Sequence, residues 1–373
     1  MVAALGDEYD FRIVTRDRDL NESAPYTSIQ TDRWARVGKA QVLYLSPRLS
    51  SWWRLIRRIR AERHDVIYLN SLWDRGFSML PAILWWLGLL GRCSLIIGPK
   101  GEFSTGALNI KPSRKRAYIG IVKALGVYDK VVWHASSPYE AADIQRCMGA
   151  SDASSDSSHL PPELNAQAHG PNVFVAVDLA GLPREDDGAA RRKRSGELDL
   201  VFLSRIAKMK NLDGALQILR DVKGDVSFNI YGPAEDSVYW DECKALIEAL
   251  QKNILVQYHG AVRHEQVGQT LAAHQILFLP TRGEAFGHVI TEALLAGRPV
   301  LISDQSPWRD LESRGAGWDI PLDRPDRFRS VLQECVDMDS ERYAQLCASA
   351  ARFAREQLNS ERVMQDSREL LNH

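Results

Sequence analysis

From Leu198 to Ser303 the chain repeats one pattern: a short apolar, β-branched run, a turn, then a longer stretch with helical spacing. The runs fall at 198–203, 226–231, 255–259, 275–280 and 300–303, and helices are expected over 212–222, 236–251, 264–272 and 287–296. Strands separated by stretches long enough for a crossover helix pair in parallel, so this rhythm predicts an open parallel sheet with helices on its faces. The same alternation marks the first half, at 11–15, 41–45, 65–69, 94–97 and 130–133. Two such α/β halves joined by a linker would place a cleft between the C-terminal ends of both sheets, where ligands of open α/β sheets bind.

Length agrees with two halves. A chain of 373 residues suits two domains of roughly 150–200 residues each better than one core. Residues 149–172 are rich in Ser, Asp and Pro and read as a surface loop or a disordered segment. A second soft stretch, 181–196, holds the basic run 191–194 and reads as a solvated linker. The expected division is therefore an N-terminal domain over 1–180, a linker over 181–196 and a C-terminal domain over 197–373. The last part of the chain, 324–373, is helical by pattern, with Phe328, Val331, Leu332 and Cys335 at helical spacing.

Composition excludes some classes. Hydrophobic residues make up 45% and charged residues 25%, ordinary globular values that rule out wholesale disorder. The five cysteines are scattered with no CxxC pair, as expected of reduced thiols in a cytoplasmic protein. The first ten residues lack the basic start and apolar run of a signal peptide. The most apolar segment, 77–98, is interrupted by Pro81 and Gly88. Its longest apolar stretch, Met79–Leu90, falls short of the ~20 residues a membrane span needs, which predicts a buried or interfacial helix. Net charge is −1, yet residues 51–130 carry fourteen Lys and Arg against five Asp and Glu. A basic segment in a neutral protein points to an anionic partner for one surface, and not to a nucleic-acid binder. Within it, Trp52, Trp53, Ile56 and Ile59 fall near one side of a helix flanked by Arg54, Arg57, Arg58 and Arg60. With Trp85, Trp86 and Arg114-Lys115-Arg116, this segment fits either a peripheral surface for anionic lipid or an amphipathic helix packed on its own sheet.

The densest chemistry lies between Leu277 and Val300, where a strand runs into a tight loop and a helix starts near Gly287. Backbone amides at a helix start are unpaired and the helix dipole favours negative charge, so a phosphate is the natural guest. Glu292 falls about one turn into that helix, placed to accept two hydrogen bonds from a vicinal diol, and Glu284 sits in the loop facing the same pocket. Two glutamates at this separation mean little alone. Their frame of strand, Phe286-Gly287, Glu292-Ala293 and Gly297-Arg298-Pro299-Val300 makes them specific.

This block resembles the retaining glycosyltransferases of family 4, which have the GT-B fold, two Rossmann-like domains facing each other across a cleft. Glu284, Phe286, Gly287, Glu292, Ala293, Gly297, Pro299 and Val300 match the signature, with Ala285 where glycine is usual. The resemblance implies that Glu292 holds the ribose of a nucleotide and that Glu284 contacts the donor sugar near the reacting carbon. Phe286, Gly287 and His288 belong to the same donor side. A second segment, from Phe202 to Leu216, resembles the family's cation motif, with Arg205 and Lys210 in the matching places and Lys208 as a competitor for the second. Paired cations there would stabilise a departing diphosphate more in the transition state than in the ground state. Tyr231-Gly232-Pro233 and Tyr258-His259-Gly260-Ala261-Val262 resemble the strand ends that bracket the base, which nominates Gly232, Gly260 and Val262. In the first half, Lys100 and Glu102, after the 94–97 run, are candidates for acceptor or phosphate contact, as is His134 at the end of another run.

The resemblance implies transfer of a sugar from a nucleoside-diphosphate donor to a hydroxyl acceptor with retention, the leaving oxygen helping to deprotonate the acceptor. A cell-surface polysaccharide, lipopolysaccharide or lipid-linked glycan is the expected acceptor class, and no metal or other cofactor is expected. The expected location is cytoplasmic and peripheral to the inner face of the plasma membrane. Two other readings stay open: a non-catalytic nucleotide-binding GT-B scaffold, and a GT-B sugar-nucleotide epimerase. The family's order of elements also implies a strand and a Gly-Gly loop upstream of Met1, because residues 1–15 read as the end of a first helix and a second strand.

Overall fold

The structure, a computed structural model, describes residues 1–18, 24–27, 29–108, 112–149, 170–178, 193–284, 286–358 and 360–373. Most of the Ser-rich stretch and the linker over 181–192 lie outside the described residues, as does Ala285. The chain divides into two compact units. One comprises Met1–Phe103, Leu108–Leu179 and Ser360–His373, and the other comprises Ser104–Ala107 and Ala180–Asn359.

The first unit runs α1 (Val2–Leu5), β1 (Arg12–Arg16), β2 (Trp34–Val37), β3 (Ala40–Leu45), α2 (Leu49–Ala61), β4 (Val66–Asn70), a π-helical turn at Arg75–Met79, α3 (Leu80–Trp86) and β5 (Ser94–Gly98). After α4 (Thr105–Leu108), whose first three residues fall in the other unit, it continues through α5 (Pro112–Ala124), β6 (Val132–Ala135), α6 (Pro138–Met148) and β7 (Asn172–Val175). Its strands form two sheets, β1-β3-β2 and β4-β5-β6-β7. The second sheet is parallel throughout, and all four residues of β6 are buried, as expected where both faces are covered. One face carries the core of Leu69, Leu95, Ile97, Val122 and Trp133, and the other packs Ile96, Val132, Ala176 and Leu370.

The alternation of runs does not announce β2, because β2 pairs antiparallel with β3 through a tight turn at Gly38 (φ 59°) and needs no crossover helix. Strand β7 also goes unannounced, beginning at the edge of the Ser-rich stretch.

The second unit runs β8 (Glu197–Leu203), α7 (Leu212–Leu219), β9 (Asp225–Tyr231), α8 (Ser237–Glu248), β10 (Ile254–Tyr258), α9 (Val267–Ala272), β11 (Ile276–Leu279), α10 (His288–Leu295), β12 (Val300–Ser303), β13 (Gly317–Ile320), α11 (Pro325–Asp337) and α12 (Ser340–Gln357). Its six strands are parallel in the order β10-β9-β8-β11-β12-β13. Strand β8 lies centrally and β11 beside it. The order therefore reverses between these two, which is where open α/β sheets bind ligands. Helix starts are capped locally: Asp236 accepts from the Tyr239 amide at 3.1 Å, and Asp339 from the Arg342 amide at 2.8 Å.

The expectation for the chain's end needs correction. The last helix, α13 (Ser360–Leu371), belongs to the first unit, not the second. Leu370 is fully buried in a cluster with Ile96 and Val132, and Arg368 pairs with Glu8 at 2.8 Å. An apolar helix face reads the same whichever sheet it covers, so periodicity gave no hint of this return.

Candidate functional site

The loops after β8 and β11 leave adjacent strands at the reversal and are laced together. The Arg282 amide donates to the Met209 carbonyl at 2.8 Å, and Thr281 Oγ1 donates to the same carbonyl at 3.1 Å. Asn211 adopts a left-handed conformation (φ 59°) and donates from Nδ2 to the Pro280 carbonyl at 2.8 Å. From behind, the Glu284 amide donates to the Gln305 carbonyl at 2.8 Å. These bonds bring Lys210 Nζ to 2.5 Å from Glu284 Oε2, with side chains only 13% and 15% exposed. Lys208 points elsewhere, 4.0 Å from Glu242 on α8. Arg205 pairs with Glu235 at 2.9 Å on a more open surface, with side chains 58% and 44% exposed.

Gly287 opens α10 with φ 79° and offers no capping side chain. A Cβ there would sit 2.8 Å from Ile290 Cδ1 and 3.0 Å from Glu284 Cγ, so the glycine lets the loop close over the helix start. Phe286 is buried beneath, its carbonyl accepting from Trp308 Nε1 at 2.7 Å and its ring 5.1 Å from that of His288. A bare helix start beside a lysine suits an anion. Glu292 is half-buried. Burial pushes its carboxyl above the ordinary range, opposed by the nearby His264.

The ends of β9 and β10 are joined by the Gly232 amide donating to the Gly260 carbonyl at 2.7 Å and by Tyr258 Oη donating to the Gly232 carbonyl at 3.0 Å. Gly232 lies at φ 136°, where a Cβ would stand 1.9 Å from the Ser204 carbonyl oxygen. Gly260 has open space around its Cα, and Val262 follows on the same loop, half-buried.

In the first unit, by contrast, the nominated residues are committed to internal bonds. His134 is 2% exposed, its Nδ1 2.6 Å from Tyr68 Oη and its Nε2 2.8 Å from the Ala176 carbonyl, and burial lowers its basicity. Glu102 accepts from Ser71 Oγ at 2.8 Å and from the Leu72 amide, bracing the turn after β4. Burial holds its carboxyl above the ordinary range. Lys100, at φ 52°, donates to Asp178 Oδ1 at 2.5 Å. The nearby Glu140, 4% exposed, accepts from the amides of Gly101 and Ser136 and shapes the same loop. Sequence reasoning passed over Glu140, Asp178, Glu235 and His264, because each acts through a fold contact and belongs to no motif.

No group of three or more metal-ligating side chains lies together among the described residues. The Asp337-Met338-Asp339 spacing, which metal sites use, is here a helix cap on α12.

Residues 183–352 match the family of glycosyl transferases group 1. An uncharacterized 41.2 kDa protein in the cps region of Klebsiella pneumoniae is 25% identical over 267 residues, 70% of this chain. The chain spans 66% of that relative's length. Sucrose-phosphate synthase from Thermosynechococcus elongatus superposes with TM-score 0.70 at 14% identity, over 99% of this chain and 90% of that one. Anabaena HepE, solved with UDP and glucose, superposes with TM-score 0.64 at 14% identity, over 89% of this chain and 86% of that one. The fold is GT-B. No described helix is long and apolar enough to cross a membrane.

Proposed function

We propose that this protein is a retaining glycosyltransferase that moves a sugar from a nucleoside-diphosphate donor to a hydroxyl of a glycan. The observation that carries the reading is Lys210 held against Glu284 beside the uncapped start of α10. A diphosphate seated at that helix start meets Lys210 from one side, and Arg205 supplies a second, more exposed cation. Glu284 is then freed to face the sugar, and Glu292 takes the ribose hydroxyls. The loops at Gly232 and Gly260 flank the base. Breaking the anomeric bond leaves positive charge on the sugar and negative charge on the diphosphate. Lys210, Arg205 and the α10 dipole stabilise the latter, and no metal is needed for that task. The leaving phosphate oxygen takes the acceptor proton on the same face. The Klebsiella relative's place in a cps region supports polysaccharide as the acceptor class.

Binding of UDP by structural neighbours makes UDP-sugars the first donors to test. Thermal shift across UDP-, GDP- and ADP-sugars identifies the donor, because ligand at 100 times its Kd adds ~2.7 kcal/mol of stability. Incubation with that donor and candidate glycans, read by NMR of the product's anomeric proton, should show transfer with retention. Binding without turnover would mark a scaffold. Donor isomerised without acceptor would mark an epimerase, and an inverted product would refute the retaining mechanism.

A further inference from the structure

Part of the exposed apolar surface of the first unit lies on α3 and α5. On α3 and its exit, Ile83, Trp86 and Leu87 are 37%, 41% and 54% exposed, while Ala82 is fully buried. Helix α5 repeats the arrangement, with Ile121 and Leu125 58% and 56% exposed and Val122 buried. Successive crossovers β4–α3–β5 and β5–α5–β6 of one hand put both helices on the same sheet face. They share a single core cluster, in which the rings of Trp73 and Tyr118 meet at 5.7 Å.

Basic residues border these two helices. Helix α2 abuts the turn into α3 through Trp52 and Phe77, whose rings lie 4.9 Å apart. Its inner side, with Trp52, Leu55 and Ile59, packs on Leu43 and Leu45, so of the two readings open for this segment the helix packed on its own sheet holds for Trp52 and Ile59. Trp85 is likewise turned inward, its Nε1 donating to the Cys93 carbonyl at 2.9 Å. What α2 leaves outward is Trp53, 67% exposed, among Arg54, Arg57 and Arg58. Helix α5 starts with exposed Arg114 and Arg116. Among the described residues, no carboxylate pairs with Arg57, Arg58, Arg114 or Arg116.

We propose that the outer side of α3 and α5, with the outward edge of α2, docks on an anionic lipid bilayer. Tryptophan and aliphatic side chains suit the headgroup–acyl boundary, and arginines extend from it to lipid phosphates. Charge selects this occupant over a second copy of the chain, since self-pairing would bring two arginine borders together. The surface residues lie outside 183–352, so the proposal does not rest on the donor residues assigned above.

The test is flotation of the full chain with vesicles of phosphatidylcholine, alone or with phosphatidylglycerol. Binding should require the anionic lipid and fall away at high salt. R114E with R116E should weaken it by ~10-fold or more, at about 1 kcal/mol per basic residue. Separately, W86S with L87S should weaken it without altering the melting temperature, since both residues are exposed. The idea is overturned if folded protein does not float with anionic vesicles, or if neutral vesicles hold it equally well. Wild-type binding by the arginine variant, or sedimentation showing self-association through Trp86 and Leu87, would overturn it too.

Discussion

Lys210 and Glu284 form an ion pair at 2.5 Å, across a seam where the loop after β8 is bonded to the loop after β11. Arg205 is paired at a similar distance with Glu235, but on open surface. The two cations should therefore respond differently to deletion. Lys210→Ala strands a mostly buried carboxylate and should cost about 1–3 kcal/mol. Arg205→Ala should leave the melting temperature almost unchanged, because exposed pairs contribute little. Both should lower turnover by ~100-fold or more if each donates to the developing diphosphate charge. Thermal unfolding and donor turnover on the same samples check this. Equal stability loss, or activity loss in one variant only, would contradict the assignment.

Chelation gives a second test. With Lys210, Arg205 and the start of α10 assigned to the diphosphate, activity should persist in EDTA. Loss of turnover in EDTA and recovery with manganese would show that a metal carries the leaving group instead.

The second unit was legible because its strands are short, mostly apolar runs and its chemistry sits in loops with strong local punctuation. Glu284, Gly287 and Glu292 are framed by a strand and a helix that the sequence marks on both sides. The pairing of Lys210 with Glu284 was not legible. It depends on β8 and β11 being neighbours, and adjacency of strands with two other strands between them in the chain leaves no local trace. In the first unit, His134, Glu102 and Lys100 look like site residues because they stand at or just after strand ends, where open α/β sheets bind ligands. Here Tyr68, Ser71 and Asp178 satisfy them from within. Helix α13 misled for a related reason, since its apolar face does not say which sheet it covers.

Gly232 provides a test of backbone positioning. A methyl group there would meet the Ser204 carbonyl at 1.9 Å, and φ of 136° is strained for any side chain. Gly232→Ala should lose roughly 1–3 kcal/mol from backbone strain alone. Relief requires moving either the β9 exit, which is bonded to Gly260, or the β8 exit beside Arg205. Donor KM should therefore rise. Unchanged stability and KM would show that these loops are looser than their bonds imply.

Glu292 should display opposite signs in stability and function. Burial raises its folded pKa above the ordinary 4.5, so the folded state holds its proton more tightly than the unfolded chain. Where the native state binds more protons, stability falls as pH rises. The loss begins near the ordinary glutamate value and is complete once pH exceeds the folded value. At neutral pH, without nucleotide, the charged carboxylate is thus a liability, and Glu292→Gln should raise the melting temperature. The gain should vanish in acid below the unfolded value, where wild type is also neutral. The same substitution removes one acceptor for the ribose hydroxyls, so donor affinity should fall while the apo protein becomes more stable. Residues kept at a cost to the fold are expected where a ligand supplies the compensation. Melting curves of both proteins across pH, with and without UDP, separate the two effects. If Glu292→Gln melts lower than wild type at neutral pH without nucleotide, the carboxylate is structural and its assignment to the ribose loses its support.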